Sequence, residues 1–314
     1  MPKPRKALLF FNPKSGRSQD EDYVEFFQRH FSESHIDLDI VHVLEEFNTL
    51  ETIINTAIAE GVNLFVAAGG DGTVSMVSTH LVGKGKAVGI IPLGTGNLLA
   101  KALDVPQNID EALNLITSSN PNTVSIDTLK LNERFFLMNV SVGITSRLMG
   151  SVDSQQKQKM GVFAYIINFL QEIFGLKLHK VYIDCDQNKF SVMASEVLIT
   201  NIGTAGVNPL TWSDNILLND GIMDLLIFRA TNLWDILGIA RSIIFKKEKF
   251  NPYIKFLKIR KYCRIETLKP LHTQADGDII GKTPFEIEVI PQSLTIISGD
   301  NPHEIKKGAD LEKL

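Results

Sequence analysis

From residue 7 to about 118, short apolar runs alternate with stretches of helical period. The runs Ala7–Phe11, Ile36–Val43, Val62–Ala67 and Ala87–Ile91 predict strands. Between them, Tyr23, Phe26, Phe27 and Phe31 fall on one helix face, as do Leu50, Ile53, Ile54, Ala57 and Ile58. Asn108 followed by Glu111 predicts a capping box for a helix through Ile109, Ala112, Leu113 and Ile116. Strand and helix in alternation build a parallel sheet with helices on both faces, a doubly wound α/β layer.

Beyond Asn122 the period moves towards two. Thr123–Leu131 and Arg134–Val142 flank Asn132-Glu133, and Val181–Asp186 and Phe190–Thr200 flank Gln187 to Lys189, so hairpins are expected. Phe285, Ile287 and Val289 alternate with Glu286 and Glu288. This half reads as an antiparallel β-sandwich with helical inserts near 160–175 and 231–245. The expected division is 1–122 for an α/β domain and 123–314 for the sandwich, with the last strand or tail allowed to return to the first.

A chain of 314 residues is long enough for about two domains. Its net charge of −4 disfavours nucleic-acid binding by bulk charge. With only Cys185 and Cys263, neither a disulfide framework nor a CxxC zinc pattern is available. The apolar run behind the basic MPKPRK is too short for a signal peptide, and Val162–Leu176, broken by Asn168, Gln171 and Glu172, falls short of a membrane span. A cytoplasmic protein is expected. The seven histidines show no ligand spacing and read as structural or surface residues.

Three glycine-bearing turns carry the candidate chemistry. VNLFVAA runs into GGDGTV and then into a helix with Val74, Val77 and Leu81 on one face; Ala87–Ile91 leads through Pro92 into LGTGN; the first strand ends in Asn12-Pro13-Lys14-Ser15-Gly16. Glycines let backbone N–H groups approach a phosphate, and a helix N-terminus adds partial positive charge. One such turn is as well explained by chain reversal. Three at the carboxyl ends of parallel strands point to one phosphate crevice. Asp71 would serve there by holding Mg²⁺ or by accepting a hydrogen bond from the nucleotide or acceptor hydroxyl. No GxxxxGK[ST] occurs and GTGNLLA lacks the third small residue of GxGxxG/A, against a P-loop ATPase or a dinucleotide dehydrogenase.

NPKSG at 12–16, GGDGTV at 69–74 and PLGTGN at 92–97, with LLNDGIMDLLIF at 217–228 and QADGDIIGKTPFEIEVIP at 274–291, resemble the diacylglycerol kinase catalytic-domain family of soluble bacterial lipid kinases, related to sphingosine kinases. The resemblance implies an ATP- and Mg²⁺-dependent kinase acting on a lipid hydroxyl such as that of diacylglycerol. It places Asn12, Pro13, Lys14, Ser15 and Gly16, Gly69, Gly70, Asp71, Gly72 and Thr73, and Gly94, Thr95, Gly96 and Asn97 at the nucleotide. Asp276 corresponds to the general base, although Asp-Gly is equally a hairpin signal. Asp220, with the carbonyls of Leu217 and Ile222, corresponds to a structural Mg²⁺ site, although Asn219-Asp220-Gly221 also reads as a tight turn.

The chain departs from the family at Ser75 and Met76, where Asn-Glu is common, at Leu98 in place of aspartate, at Leu44 in place of a threonine, and at Asp278 in place of glutamate. These departures keep open a catalytically impaired nucleotide- or lipid-binding regulator; an NAD kinase is a weaker alternative. Within 246–264, eight cations, Lys246, Lys247, Lys249, Lys255, Lys258, Arg260, Lys261 and Arg264, meet one acid, Glu248, a local charge of +7. Contact with a peripheral anionic membrane surface is expected there, with Leu233, Trp234, Leu237, Ile243, Ile244 and Phe245 mostly in the core. A homodimer stays open.

Overall fold

In a computed structural model that describes residues 5–16, 22–43, 49–144, 176–186, 188–204, 211–302, 304 and 305, the four apolar runs of the first half are strands. They are β1 (Arg5–Phe11), β2 (Ile36–His42), β3 (Leu64–Gly69) and β4 (Ala87–Pro92), and they pair in parallel in the order β2-β1-β3-β4. The connecting helices are α1 (Asp22–Glu33), α2 (Leu50–Ala59), α3 (Asp71–Thr79), α4 (Leu98–Ala102) and α5 (Ile109–Thr117). β3 is buried along its whole length, as a strand covered on both faces must be. Phe27 and Phe31 of α1 reach zero exposure, and Phe27 meets Phe11 edge-on at 5.6 Å. At α5, Asn108 Oδ1 accepts the Glu111 amide at 3.2 Å, the expected cap.

Contacts divide the chain into two units. Unit 1 holds Met1–Thr128, Leu218–Asp220 and Pro291–Leu314; unit 2 holds Leu129–Leu217 and Gly221–Ile290. The first break between the units follows Thr128. In β5 (Thr123–Leu131) the residues up to Thr128 stay with unit 1, where Thr128 Oγ1 and Ser293 Oγ lie 2.8 Å apart. The long β16 (Phe285–Ile297) serves both units: Thr295 and Ile296 run parallel to β4, whereas Phe285 to Glu288 pair antiparallel with β13 (Tyr262–Thr267).

Unit 2 is antiparallel throughout. One sheet continues from β13 to β8 (His179–Cys185) and β9 (Asn188–Ala194). The other has β12 (Ile254–Ile259), β11 (Met223–Phe228), β10 (Glu196–Thr200), β7 (Asn139–Gly143), β14 (His272–Ala275) and β15 (Asp278–Lys282), in that order. Val140, Val142, Ile199 and Leu225 of this sheet share a core with Val181, Ile183, Ile265 and Ile287 of the first, which is the expected sandwich.

Two expected long strands are broken. Arg134–Val142 divides into β6 (Arg134–Phe136) and β7, and Phe190–Thr200 divides at Ser195, whose amide donates to Phe228 O. β10 and β11 are buried at every residue instead of alternating, because α6 (Leu233–Ile244) covers their outer face through Ile239 and Ile243. The insert expected at 160–175, Leu44 and His303 lie outside the described residues.

Candidate functional site

The three glycine turns of unit 1 meet one another. Gly16 has φ +53°, a left-handed backbone that favours glycine, and a Cβ there would stand 2.3 Å from Leu93 O. A Cβ on Gly94 would stand 2.6 Å from the Gly70 Cα. The turns approach until only hydrogen atoms fit between their backbones. Side chains then tie them: Asn12 Nδ2 donates to Thr73 Oγ1 at 2.9 Å, Asn12 Oδ1 accepts the Lys14 amide at 3.0 Å, and the Gly70 amide donates to Ser15 Oγ at 3.3 Å. Pro13 is half-buried and the Lys14 side chain exposed.

Gly69 ends β3 against Thr73, which is 4 % exposed, and Gly70 caps α3 with extended backbone and no side-chain cap hydrogen bond of its own. Gly72 is exposed, and a Cβ there would meet nothing within 4 Å. The mouth of this turn is therefore open backbone. Thr95 is exposed and Gly96 half-buried. The Asn97 side chain folds inward instead of outward, accepting the Gly94 amide at 3.0 Å and donating to Gly94 O at 2.9 Å and Gln107 Oε1 at 3.1 Å.

Asp71 is engaged within the cluster. Its Oδ1 accepts the Leu98 amide at 2.6 Å, and a Cβ on Gly96 would lie 2.6 Å from its Oδ2. The carboxylate ties the second turn to the third by holding the first amide of α4. Burial pushes the Asp71 carboxyl above the usual carboxylate range, opposed by the amides of Leu98, Asn97 and Leu99 and the Lys101 charge. Leu98, where the family has aspartate, thus contributes its N–H, while Ser75 is buried and Met76 half-buried along α3.

In unit 2, Asp276 follows β14 with φ +46°. Its carboxylate accepts three consecutive amides: Leu137 N on Oδ2 at 2.8 Å, and Met138 N and Asn139 N on Oδ1 at 2.9 and 3.0 Å. Its own amide donates to Asn139 O at 3.0 Å. This is why the expected strand breaks after Phe136: the chain turns three N–H groups to one carboxylate. Gln274, two residues earlier and 5 % exposed, braces the corner, with Nε2 donating to Asn139 Oδ1 at 2.8 Å and Ser141 Oγ at 3.0 Å while Oε1 accepts the Gly277 amide. Asp278 is exposed.

Asp220 is half-buried in a turn that Gly221 closes with φ +72°. The neighbouring Leu218 is pinned in unit 1, its O accepting the Asp127 amide and its N donating to Glu304 O, both at 2.7 Å. One carboxylate with the carbonyls of Leu217 and Ile222 is an all-oxygen donor set, the chemistry Mg²⁺ takes. Among the described residues no cluster of three or more His, Cys, Asp or Glu is placed to hold a metal.

The amides of Leu137 to Asn139 and the Gln274 brace are not part of the sequence reading. Backbone N–H groups leave no letter, whereas a lone Gln at strand spacing from Asp276 was a usable signal. A cavity of about 400 Å³ on the outer face of β8, β9 and β13 is lined by paired charges, Asp184 with Lys189 at 2.8 Å and Arg264 with Glu266 at 2.6 Å. Lys189 holds Asp184 below the usual carboxylate range.

A model of the diacylglycerol kinase catalytic domain matches residues 6–129, and one of the YegS C-terminal NAD kinase beta sandwich-like domain matches residues 138–298. The chain belongs to the diacylglycerol kinase catalytic-domain family. A Staphylococcus aureus protein named diacylglycerol kinase is 27 % identical over 292 residues, covering 89 % of this chain and 88 % of its own. A candidate lipid kinase of Streptococcus pneumoniae is 26 % identical over 305 residues, covering 94 % and 98 %. The crystal structure of a candidate diacylglycerol kinase from Bacillus anthracis superposes with TM-score 0.76 at 27 % identity, covering 96 % and 97 %. Another Bacillus anthracis diacylglycerol kinase, 23 % identical with TM-score 0.69, shares the fold. The family is one of kinases. Among the described residues no helix is long and apolar enough to cross a membrane.

Proposed function

We propose that the protein transfers the γ-phosphoryl group of ATP to the hydroxyl of a lipid, with diacylglycerol as the first acceptor to test. The observation that carries this reading is the gathering of three turns whose glycines leave no room for a Cβ between them. The first-turn amides of α3, open at Gly72, would bind phosphate oxygens, with Lys14 and Thr95 beside them. Asp71 and Asn97 position those turns from behind. Mg²⁺, when bound by Asp220 with the carbonyls of Leu217 and Ile222, supplies an oxygen-liganded cross-link of that turn, and with the triphosphate it offsets negative charge.

Asp276 is the proposed base. Its carboxylate, oriented by three amides, accepts the acceptor hydroxyl's proton as that oxygen bonds to the γ-phosphorus and the bond to the β-phosphate oxygen breaks, releasing ADP. Radiolabelled ATP with a lipid panel tests this: transfer to a lipid is expected from the wild type and not from Asp276→Asn. Full transfer by that variant removes the base. Nucleotide binding without turnover across the panel favours the impaired regulator, to which Ser75, Met76 and Leu98 point, and phosphorylation of NAD favours the NAD kinase.

A further inference from the structure

Helix α6 carries two apolar faces. Ile239 and Ile243 pack against Leu226, Phe228 and Ile254. On the opposite side Trp234, Leu237, Arg241 and Ile244 recur at three- and four-residue spacing, and Phe245 extends the stripe. Contrary to the expected burial, Trp234 is 80 % exposed, Phe245 64 %, Ile244 59 % and Leu237 48 %. Phe250, 87 % exposed, stands on the adjoining turn Glu248–Phe250. Asn251 fixes that turn to the helix, its Nδ2 donating to Gly238 O at 3.1 Å and Ser242 Oγ at 3.0 Å. Six of the ten exposed large hydrophobic residues among the described residues fall within 234–253, a concentration rare on a monomer's surface.

The exposed charges described within 229–253 have one sign. Within 229–253 the two acids, Asp235 and Glu248, are buried, Asp235 accepting from Thr231 and Asn232. Arg229, Arg241, Lys246 and Lys247 are exposed, with Lys246 paired to Asp214. Two other cations of the +7 run are engaged elsewhere: Arg264 pairs with Glu266, and Lys255 lies over the Phe190 ring.

We propose that this stripe docks the protein on an anionic phospholipid bilayer, α6 lying in the interface plane. Trp234, Leu237, Ile244, Phe245 and Phe250 enter the acyl boundary, and Arg241 and Lys247 meet the headgroup phosphates. A second copy of the chain is a poorer occupant, because two-fold pairing would set the same cations against each other.

Trp234 reports directly, since Trp212, the chain's other tryptophan, is half-buried against Phe228. Vesicles of brominated phosphatidylcholine with phosphatidylglycerol are expected to quench wild-type fluorescence, those without phosphatidylglycerol are not, and Trp234→Phe removes the quenching. Arg241→Gln with Lys247→Gln is expected to weaken partitioning about thirtyfold. Equal quenching by both vesicle types, or none by either, overturns the proposal. So does a lipid-free dimer in sedimentation that Trp234→Glu converts to monomer. The assay needs neither nucleotide nor turnover, so its failure is distinct from failure of the kinase reading.

Discussion

The turn cluster of unit 1 and the Asp276 corner of unit 2 solve opposite problems with the same two materials. In the cluster the surface on offer is backbone, and side chains work from behind: Asn12 to Thr73, Asp71 to Leu98, Asn97 to Gly94. At the corner the group on offer is one carboxylate, and three backbone amides hold it. On the proposed reading, a surface for phosphate presents N–H groups and the anionic side chain is turned inward onto an amide of its own chain, whereas a proton acceptor presents oxygen and the amides become its supports. An aspartate beside a glycine therefore has no role by itself; what faces its carboxylate decides.

The largest effect tests the corner. Asp276→Asn is expected to lower transfer about 10²–10⁴-fold, measured with labelled ATP. Next comes the cluster, where two glycines should part company. Gly94→Ala places its Cβ against the Gly70 Cα and is expected to destabilise by about 1–3 kcal/mol in urea unfolding. Gly72→Ala meets open space in a helix, so stability holds or rises by about 0.5–1 kcal/mol while nucleotide affinity, read by calorimetry, falls. If Gly72→Ala binds nucleotide as the wild type does, that turn does not touch phosphate.

Gln274→Leu separates support from chemistry. It strips partners from Asn139, Ser141 and the Gly277 amide, costing about 1–3 kcal/mol by urea unfolding, and the pH profile of transfer should change along with the rate if Asp276 is thereby misplaced. The smallest effect concerns Asp71. Because burial raises its folded-state pKa, its contribution is full below the ordinary aspartate range and is lost as pH rises through the folded value. The unfolding free energy of wild type minus that of Asp71→Asn should fall across this window and then level. Asp71→Ala leaves the Leu98 amide uncapped and should cost about 1 kcal/mol.

Legibility followed the letters. The cluster was readable because its requirement, no Cβ at Gly16 and Gly94, is written as glycine. The corner was half readable: Asp276 stood out, but the amides of Leu137, Met138 and Asn139 carry no side-chain signal. Helix α6 misled in the opposite direction, since apolar residues around its whole circumference read as burial, whereas the sheet covers one side only.

Period and turn chemistry alone thus determined the parallel layer, the antiparallel sandwich and the glycine turns, because these rest on local preferences repeated along the chain. The partner of Asp71, the grip on Asp276 and the bare side of α6 were decided only in three dimensions. Each depends on which distant segment arrives opposite a group, and that is set by packing rather than by any neighbouring residue.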